Sequence, residues 1–450
     1  LEWALSTIKN YLDAISPLKD NPIEFHQKNV DEDALVSSII ALQEALLAFL
    51  DAFVDNCLSE REKDALFVFA LEIFAQPGMY IYDDVFVSIR EFHSKLIAVI
   101  SDKFTLNVDR YLQYLDELSM SNIGKGGVDL LKEDKESEHI FIWERISPLN
   151  LALYYSALIS EEPFLRYFPQ VYENMYIFHK LLFLCVVLLQ HTHNAVLRKG
   201  LRLSRVLISS MKCGCISRPY LAYHVYQIFV RTISSVSVYS DVLENRRDAI
   251  KLLLPFLNLF DDEGKHVLYL NISLVTDQPN VEGEIITSFR NEWHACSKDG
   301  NWKFYQKGKF LIDLLKSFCD LPKLNKHYLV TNKDKLLAAL NLFALLMKVD
   351  ADVKNHFEDF EKTFFSKVAR IVKDERESFR SDLHNLENAE RSKSSELEKM
   401  PHDIIVKGQP LPQLNQNEKI ETIKQALLVM DVIEETLSLL YKYADRDFSK

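Results

Sequence analysis

Two histidines and two cysteines have spacings that invite a metal-binding interpretation. His191 and His193 follow the apolar run LLFLCVVLL at 181–189, and Cys213 and Cys215 come some twenty residues later. Imidazole and thiolate are common zinc ligands. On a helix, however, residues at i and i+2 point about 200° apart, so each pair could converge on an ion only from a turn. Two interpretations remain open: a metal site shared by two neighbouring turns, or reduced, unligated side chains in links between helices. The spacing favours the second.

No other group of residues has the spacing of a catalytic or cofactor site. Gly124-Lys125-Gly126-Gly127 lacks the Ser or Thr that follows the lysine of a phosphate-binding loop. A nucleophile elbow, a zinc-protease helix motif and a dinucleotide fingerprint are also missing from the sequence. We therefore expect no catalytic residue, no cofactor and no resident metal, and a protein that is not an enzyme.

A row of basic residues follows the His-x-His. Arg198, Arg202 and Arg205 recur at i, i+4 and i+7, with Lys199 beside them, which places the arginines on one face of a predicted helix. The row is either a solvated helix face or a patch that binds a partner. Charged rows on helices are most often solvated, so the first interpretation is favoured.

Helices must position all of these residues. The chain has only 11 Gly and 13 Pro in 450 residues, too few for many short strands and turns. Apolar residues recur at helical spacing almost everywhere, and Ser59 with Glu62 forms a capping-box pattern before one such run. The predicted helices span 34–55, 60–74, 85–100, 108–118, 148–159, 171–189, 195–211, 219–238, 245–260, 283–293, 305–318, 332–349, one very long helix at 352–398, and 419–443.

Paired helices of this length are typical of HEAT-like or armadillo-like repeats. We predict an all-α helical-repeat solenoid with a long C-terminal helix and a terminal helix that folds back to close the core. The predicted segments are 1–118, helical repeats truncated at their start; 119–145, a flexible polar loop; 146–398, central and C-terminal repeats; 399–418, a linker; and 419–450, the closing helix.

Composition narrows the class of partner. A net charge of −12 weighs against nucleic acid, because phosphate binding needs a basic surface. Six cysteines in 450 residues do not form a disulfide framework and indicate a reducing compartment. The nine-residue apolar run at 181–189 is far shorter than the roughly 20 residues that a membrane span needs. We expect a cytoplasmic, also nuclear, monomer that does not bind membranes.

Several blocks of sequence, in order, resemble the glomulin family. They are RKGLRLSRVLISS at 198–210, ENRRDAIKLLLPFLNLFDDEGKHVLYLNIS at 244–273, VEGEIITSFRNEW at 281–293, NKDKLLAALNLFALLMK at 332–348, IIVKGQPLP at 404–412 and IETIKQALLVMDVIEETL at 420–437. The resemblance is strong from about residue 170 onward and weaker before it, and the family's N-terminal helical segment has no counterpart here. The blocks are packing patterns, with no catalytic signature among them.

Glomulins are HEAT-like proteins whose C-terminal region binds the RING-box subunit of cullin–RING ubiquitin ligases and covers the docking surface of the ubiquitin-conjugating enzyme, E2. The resemblance thus implies a non-enzymatic inhibitor that acts by steric occlusion. The Arg290-Asn291 pair matches a Lys-Asn pair of the family, Lys335 stands where the family has Arg, and Asn341 is identical. The resemblance therefore implies that Arg290, Asn291, Lys335 and Asn341 face the RING.

Three hypotheses follow for function. The first is a RING-binding inhibitor that blocks E2 recruitment. The second is a general helical scaffold for another partner, such as an immunophilin or a receptor tail. The third and weakest is a metal-dependent enzyme built on His191, His193, Cys213 and Cys215.

Overall fold

The chain folds into helices that pack in adjacent pairs. A computed structural model describes residues 41, 44–50, 52, 59–75, 90–104, 147–160, 162–168, 172–276, 278–320, 328–392, 405–406, 409–410 and 416–444. The molecule divides into two compact units, Leu1–Asp261 and Asp262–Lys450.

The described helices of the first unit form two layers. After helical residues at 41, 44–50 and 52, they are in chain order α1 (Glu60–Phe74), α2 (90–104), α3 (Pro148–Ser160), α4 (Asn174–Leu189), α5 (Asn194–Ser209), α6 (His224–Tyr239) and α7 (Leu243–Leu257), with 3₁₀ turns at Glu162–Tyr167 and Arg218–Ala222. Helix α5 packs against both α3 and α7, so these three helices lie side by side, as do α4 and α6. The pairs α3 and α4, α4 and α5, and α6 and α7 also pack against each other. Stacking of this kind, in which each element contacts mainly its neighbours, is the arrangement of a helical-repeat solenoid.

Local sequence signals fix the start of α1. The Ser59 side chain accepts a hydrogen bond from the Glu62 amide at 3.3 Å, and the Glu62 carboxylate accepts one from the Ser59 amide at 3.1 Å. The two bonds satisfy amides that would otherwise lack helical partners. The predicted capping box is confirmed.

The apolar run at 181–189 lies within α4 and is buried. Leu181, Leu184 and Leu188 have no exposed surface, since α3, α5 and α6 all pack around this helix. A Cβ on Gly200 of α5 would lie 2.9 Å from the Leu188 Cβ, so the glycine allows α5 to approach α4 closely. Contact with three neighbouring helices explains why the run at 181–189 is apolar all round.

The helix predicted at 219–238 is interrupted, and this prediction was wrong at its start. Arg218–Ala222 is a 3₁₀ turn, Tyr223 is extended, and α6 begins at His224. The break allows the Tyr220 and Tyr223 rings to lie 6.1 and 5.1 Å from the His179 ring, so packing around α4 overrides the helical periodicity.

The second unit continues with helices of less regular length. They are α8 (Asp262–Leu270), α9 (Pro279–Asp299), α10 (Gly308–Phe318), α11 (Tyr328–Val349), α12 (Ser366–Ser392) and α13 (Gln416–Tyr443), with single turns at Ile272–Val275, Phe304–Gln306, Ala351–Asn355 and Phe357–Phe360. Two two-residue strands, Ile405–Val406 and Gln409–Pro410, pair antiparallel before α13. The central contact of this unit is between α9 and α11.

The prediction of a single long helix at 352–398 was also wrong. Residues Glu361–Phe365 form a π-helical segment between Phe357–Phe360 and α12, and 393–398 lie outside the described residues. A π turn inserts an extra residue, so Phe364 and Phe365 both face inward and reach the Phe343 ring at 6.4 and 5.1 Å. The π segment breaks the helical periodicity and brings two consecutive phenylalanines against one ring.

The last helix closes the core of this unit. Helix α13 packs against α11 and α12, and Arg376 of α12 donates to Glu434 and, at 2.8 Å, to Asp431 of α13. The predicted all-α, helical-repeat fold class is confirmed. The predicted segment boundaries stay predictions, since 108–118, 119–145 and most of the predicted linker lie outside the described residues.

Candidate functional site

The four metal-like residues lie at opposite ends of one helix. His191 and His193 precede α5, and Cys213 and Cys215 follow it. Because α5 has 16 residues, the two links are separated by about 24 Å along the helix axis. The two turns are therefore not neighbours, and no single ion can be held by both pairs.

Both histidines accept backbone amides at the start of α5, and His193 is the N-cap. The Nδ1 atom of His191 accepts the His193 amide at 3.0 Å, and the Nδ1 atom of His193 accepts the Ala195 amide at 3.2 Å, as an N-cap of α5. These bonds require an unprotonated Nδ1. Burial lowers the pKa of both histidines, which also favours the neutral form. The His-x-His pair, whose spacing suggested a metal site, therefore stabilises the start of a helix.

The two cysteines sit in a turn that is tied to another link. Gly214, between them, has φ 72°, and its amide donates to Asn258 O at 3.0 Å. Both cysteines are exposed. Partial desolvation is the largest cause of the raised pKa of Cys215, so this thiol is protonated at neutral pH when no metal ion is bound. Within the described ranges, no group of three or more His, Cys, Asp or Glu side chains could hold a metal ion.

The basic row on α5 is partly internal. Arg198 and Arg202 are exposed, and Arg205 pairs with Asp248 at 3.1 Å. Lys199 is buried, so the description of it as a member of a solvated row was wrong. It is about 100° around the helix from Arg198, and Ser156 of α3 donates to its carbonyl oxygen at 3.3 Å.

Helices α9 and α11, which contain the four residues that the resemblance places against the RING, make the most extensive contact among the described helices. A Cβ on Gly283 would lie 2.7 Å from the Asp334 carbonyl oxygen, so only glycine allows this backbone approach. Beside it, Lys335 Nζ pairs with the Glu282 carboxylate at 2.5 Å, and both side chains are almost fully buried. Lys335 also donates to Asp320 O at 3.1 Å and Ser273 Oγ at 3.3 Å.

Lys335 consequently does not face solvent. Its side chain is 3% exposed, and its ammonium group is enclosed by partners within the same unit. The expectation of a direct RING contact from Lys335 has to be corrected: burial at the helix contact makes this cation a structural link between α9 and α11.

The other three implied residues lie at the surface. Asn291 is exposed, Arg290 is half-buried, and the Arg290 guanidinium donates to Asn291 Oδ1 at 3.2 Å. Asn291 is nine residues after Glu282, about 180° around α9 from the buried ion pair. Asn341 is exposed on α11, roughly 120° around that helix from Lys335. Arg290 and Asn291 are thus hydrogen-bonded to each other on α9, and Asn341 lies on the adjacent helix α11.

A cluster of exposed aromatic side chains follows α9, and sequence reasoning did not identify it. The rings of Phe304 and Phe310 are 5.3 Å apart, and the His266 ring is 5.3 and 5.5 Å from them. Phe304 is 43% exposed and Phe310 is 48% exposed. We call Phe304, Phe310 and His266 the aromatic platform. The signal in the sequence was WKFYQKGKF at 302–310, which holds four aromatic and three basic residues.

Buried contacts hold the platform against α9. Trp293 Nε1 donates to Gln306 O at 3.1 Å, and Tyr305 Oη donates to the Glu292 carboxylate at 3.1 Å. Burial and the Glu292 charge raise the pKa of Tyr305, so the phenol remains a donor at neutral pH. Nearby, Lys303 and Asp262 form an ion pair at 2.8 Å, and this hydrogen bond is the main cause of the raised Lys303 pKa.

Comparison with known proteins finds distant relatives of this chain. Human glomulin is 22% identical over 258 residues, which cover 56% of this chain and 42% of the human protein. Mouse glomulin is 20% identical over 470 residues, which cover 97% of this chain and 72% of the mouse protein. The chain is a distant homologue of glomulin. The aligned part spans less than half of human glomulin. No protein-family model matches.

The glomulin homology agrees with the resemblance seen in the sequence blocks. Of the helices that the structure describes, none is both long enough and apolar enough to cross a membrane.

Proposed function

We propose that this protein binds the RING-box subunit of cullin–RING ubiquitin ligases and blocks recruitment of the E2, and that it catalyses no reaction itself. The observation that supports this most directly is the distant homology to glomulin across nearly the whole chain. Inhibition needs no chemistry from the inhibitor, only a rigid surface large enough to cover the E2 site, and a specific interface buries roughly 800 Å² per partner.

Arg290 and Asn291 are the proposed centre of this surface, with Asn341 as a further contact. The cation and the amide are joined by a hydrogen bond, which fixes the guanidinium relative to α9. A fixed guanidinium suits a carboxylate or a backbone carbonyl of the partner, because less side-chain entropy is lost on binding. Lys335 supports the surface from inside by holding α9 on α11.

The test is a binding titration of the RING-box subunit with the full chain, repeated at rising concentrations of E2. If both occupy one surface, the apparent Kd rises linearly with E2 concentration. We expect Arg290→Glu to weaken binding by about tenfold or more, since a charge reversal replaces attraction with repulsion, and to reduce inhibition of ubiquitin-chain formation in parallel.

Arg380→Glu is a matched control, because Arg380 is an exposed arginine on α12 of the same unit. No binding by the folded wild-type chain would overturn the proposal. Binding that E2 does not affect would overturn its occlusion step. A pull-down that captures another partner and lacks the RING-box subunit would favour the general-scaffold alternative, with an immunophilin or a receptor tail as the partner.

A further inference from the structure

The Cys-Gly-Cys turn after α5 holds two thiols at the surface that the proposed function does not use. Cys213 and Cys215 are both exposed. The other cysteines that the structure describes are half-buried or buried: Cys296, Cys185 and Cys319. A thiol must be accessible to react with a small molecule in solution. Within the described part of the chain, this pair is therefore the most open to chemistry at sulfur.

The backbone of the turn brings the two thiols close together. The Cys215 amide donates to Lys212 O at 3.3 Å, and Gly214 has φ 72°, so Gly214 is the left-handed third residue of a β-turn, as in type II turns. The two Cα atoms that flank such a residue are about 5.5 Å apart, a separation common in disulfides. A bond between the Cys213 and Cys215 sulfurs therefore requires rotation of two side chains and little movement of the backbone.

Contacts with the link that follows α7 hold the turn in this shape. The Gly214 amide donates to Asn258 O at 3.0 Å, and the Ile216 amide donates to Leu259 O at 2.8 Å. Ile216 O in turn accepts the Asp261 amide at 2.8 Å. Because the fold already fixes this backbone, less conformational freedom is lost when the two sulfurs meet, and the effective concentration of one thiol at the other is high.

The two thiols are suited to different steps of thiol–disulfide exchange. Partial desolvation is the main cause of the raised pKa of Cys215, and the adjacent Cys213 thiol raises it further. The attacking group in exchange is a thiolate, so Cys215 is a slow first nucleophile and the first attack falls to Cys213. Cys215 then reacts only within the turn, where a high effective concentration compensates for a small thiolate fraction.

We propose that Cys213 and Cys215 are an oxidisable dithiol whose substrate is a low-molecular-weight disulfide of the glutathione type. The Cys213 thiolate attacks one sulfur of glutathione disulfide, the S–S bond of glutathione disulfide breaks, and one glutathione leaves as a thiolate. Cys215 gives its proton to water, attacks the Cys213 sulfur and releases the second glutathione. The chain loses two electrons and two protons, and glutathione disulfide gains them as it becomes two glutathione thiols.

The disulfide formed in this way is readily reversed. It is exposed and closes a ring across a single residue, and exposed or strained disulfides have the more oxidising potentials. In the reducing compartment expected from the cysteine content, the pair is a dithiol at rest and becomes a disulfide when glutathione disulfide accumulates. This modification site goes beyond the proposed function and does not depend on binding of the RING-box subunit.

The experiment equilibrates the folded full chain with glutathione buffers of rising disulfide content, blocks the remaining thiols with iodoacetamide and digests the chain with trypsin. The peptide 213–231, which follows Lys212, contains these two cysteines and no other. We expect this peptide to lose two hydrogen atoms and both iodoacetamide labels as the disulfide content rises. Excess reduced glutathione before blocking should restore both labels.

Single variants separate the two steps, and thermal unfolding first shows that each is folded. Cys215→Ser is expected to stop after the first attack, so that its peptide retains one glutathione on Cys213. Cys213→Ser keeps the slower thiol and should react with glutathione disulfide at least about threefold more slowly than Cys215→Ser. Cys296→Ser is the matched control, because it removes a half-buried thiol from α9 and should leave the loss of two hydrogen atoms unchanged.

Two results with the folded wild type would overturn the proposal. In the first, the peptide carries glutathione on both cysteines and never forms the internal disulfide. In the second, the peptide stays a dithiol in buffers that already attach glutathione to Cys296.

Discussion

At the scale of single residues, several side chains whose types could serve catalysis or metal binding instead stabilise the fold. His193 caps a helix, His191 accepts the His193 amide, and Lys335 and Glu282 neutralise each other between two helices. Taking both charges out of water costs several kcal/mol, and their attraction and added hydrogen bonds offset this cost only while both partners are present. The lysine has two further acceptors, Asp320 O and Ser273 Oγ.

Lys335→Met is therefore expected to lower the free energy of unfolding by about 3–5 kcal/mol, because it leaves the Glu282 carboxylate buried without its cation. Glu282→Met combined with Lys335→Met should recover most of that loss. Lys348→Met, at an exposed position of the same helix, is the control. Urea denaturation measures all three, and a single variant as stable as the control would contradict the structural role given to Lys335.

At the scale of elements, contacts between helices explain local features that the apolar periodicity of the sequence did not predict. Gly283 was visible in the sequence only as a glycine within a predicted helix. In the structure the backbones of α9 and α11 approach closely at this position, since a Cβ here would lie only 2.7 Å from Asp334 O. The π segment at Glu361–Phe365 is a similar case, since its extra residue serves the Phe343 contact.

Gly283→Val should lower the free energy of unfolding by about 1–3 kcal/mol, because the added methyl groups force apart two packed helices. Glu284→Val introduces the same side chain at the next, exposed position and controls for the helix preference of valine. Chemical denaturation compares the two variants. A Gly283→Val protein that is more stable than the Glu284→Val protein would show that α9 and α11 tolerate separation.

Much of the element order follows from sequence, since amphipathic spacing fixed the helices near 148–159, 195–211 and 332–349 to within a few residues of their observed bounds. The break at Tyr223 and the π segment did not follow, because each depends on aromatic partners far away in the chain. Of the candidate site, Arg290 and Asn291 came from a resemblance, whereas Phe304 and Phe310 gained their significance only when folding left them exposed together.

At the scale of the whole molecule, buried titratable groups make stability depend on pH. Burial lowers the pKa of His179, and also those of His191 and His193. The unfolded chain then binds more protons than the folded one below the ordinary histidine pKa of about 6.5. The stabilising contribution of these groups is present above that pH and is lost as pH falls.

We expect the unfolding midpoint to be constant near pH 7.5 and to fall between about pH 6.5 and 5.5, where histidine is the side chain that ordinarily titrates. His179→Gln together with His191→Asn and His193→Asn should reduce this fall, as followed by circular dichroism in urea at each pH. An equally steep fall in the triple variant would contradict the assignment to these histidines.

The sequence by itself determined the helical class, the local caps and the absence of known catalytic spacings, because these depend on composition and on residues within one turn of each other. Tertiary structure decided which of two similar cations is buried and which meets solvent. Lys335 and Arg290 look equivalent as letters, but a charge enclosed by Glu282 and Asp320 serves stability, while a charge at the surface is available to a partner. The same holds for the histidines and cysteines with metal-like spacing: a helix of about 24 Å separates them, a distance that comes from the folded chain.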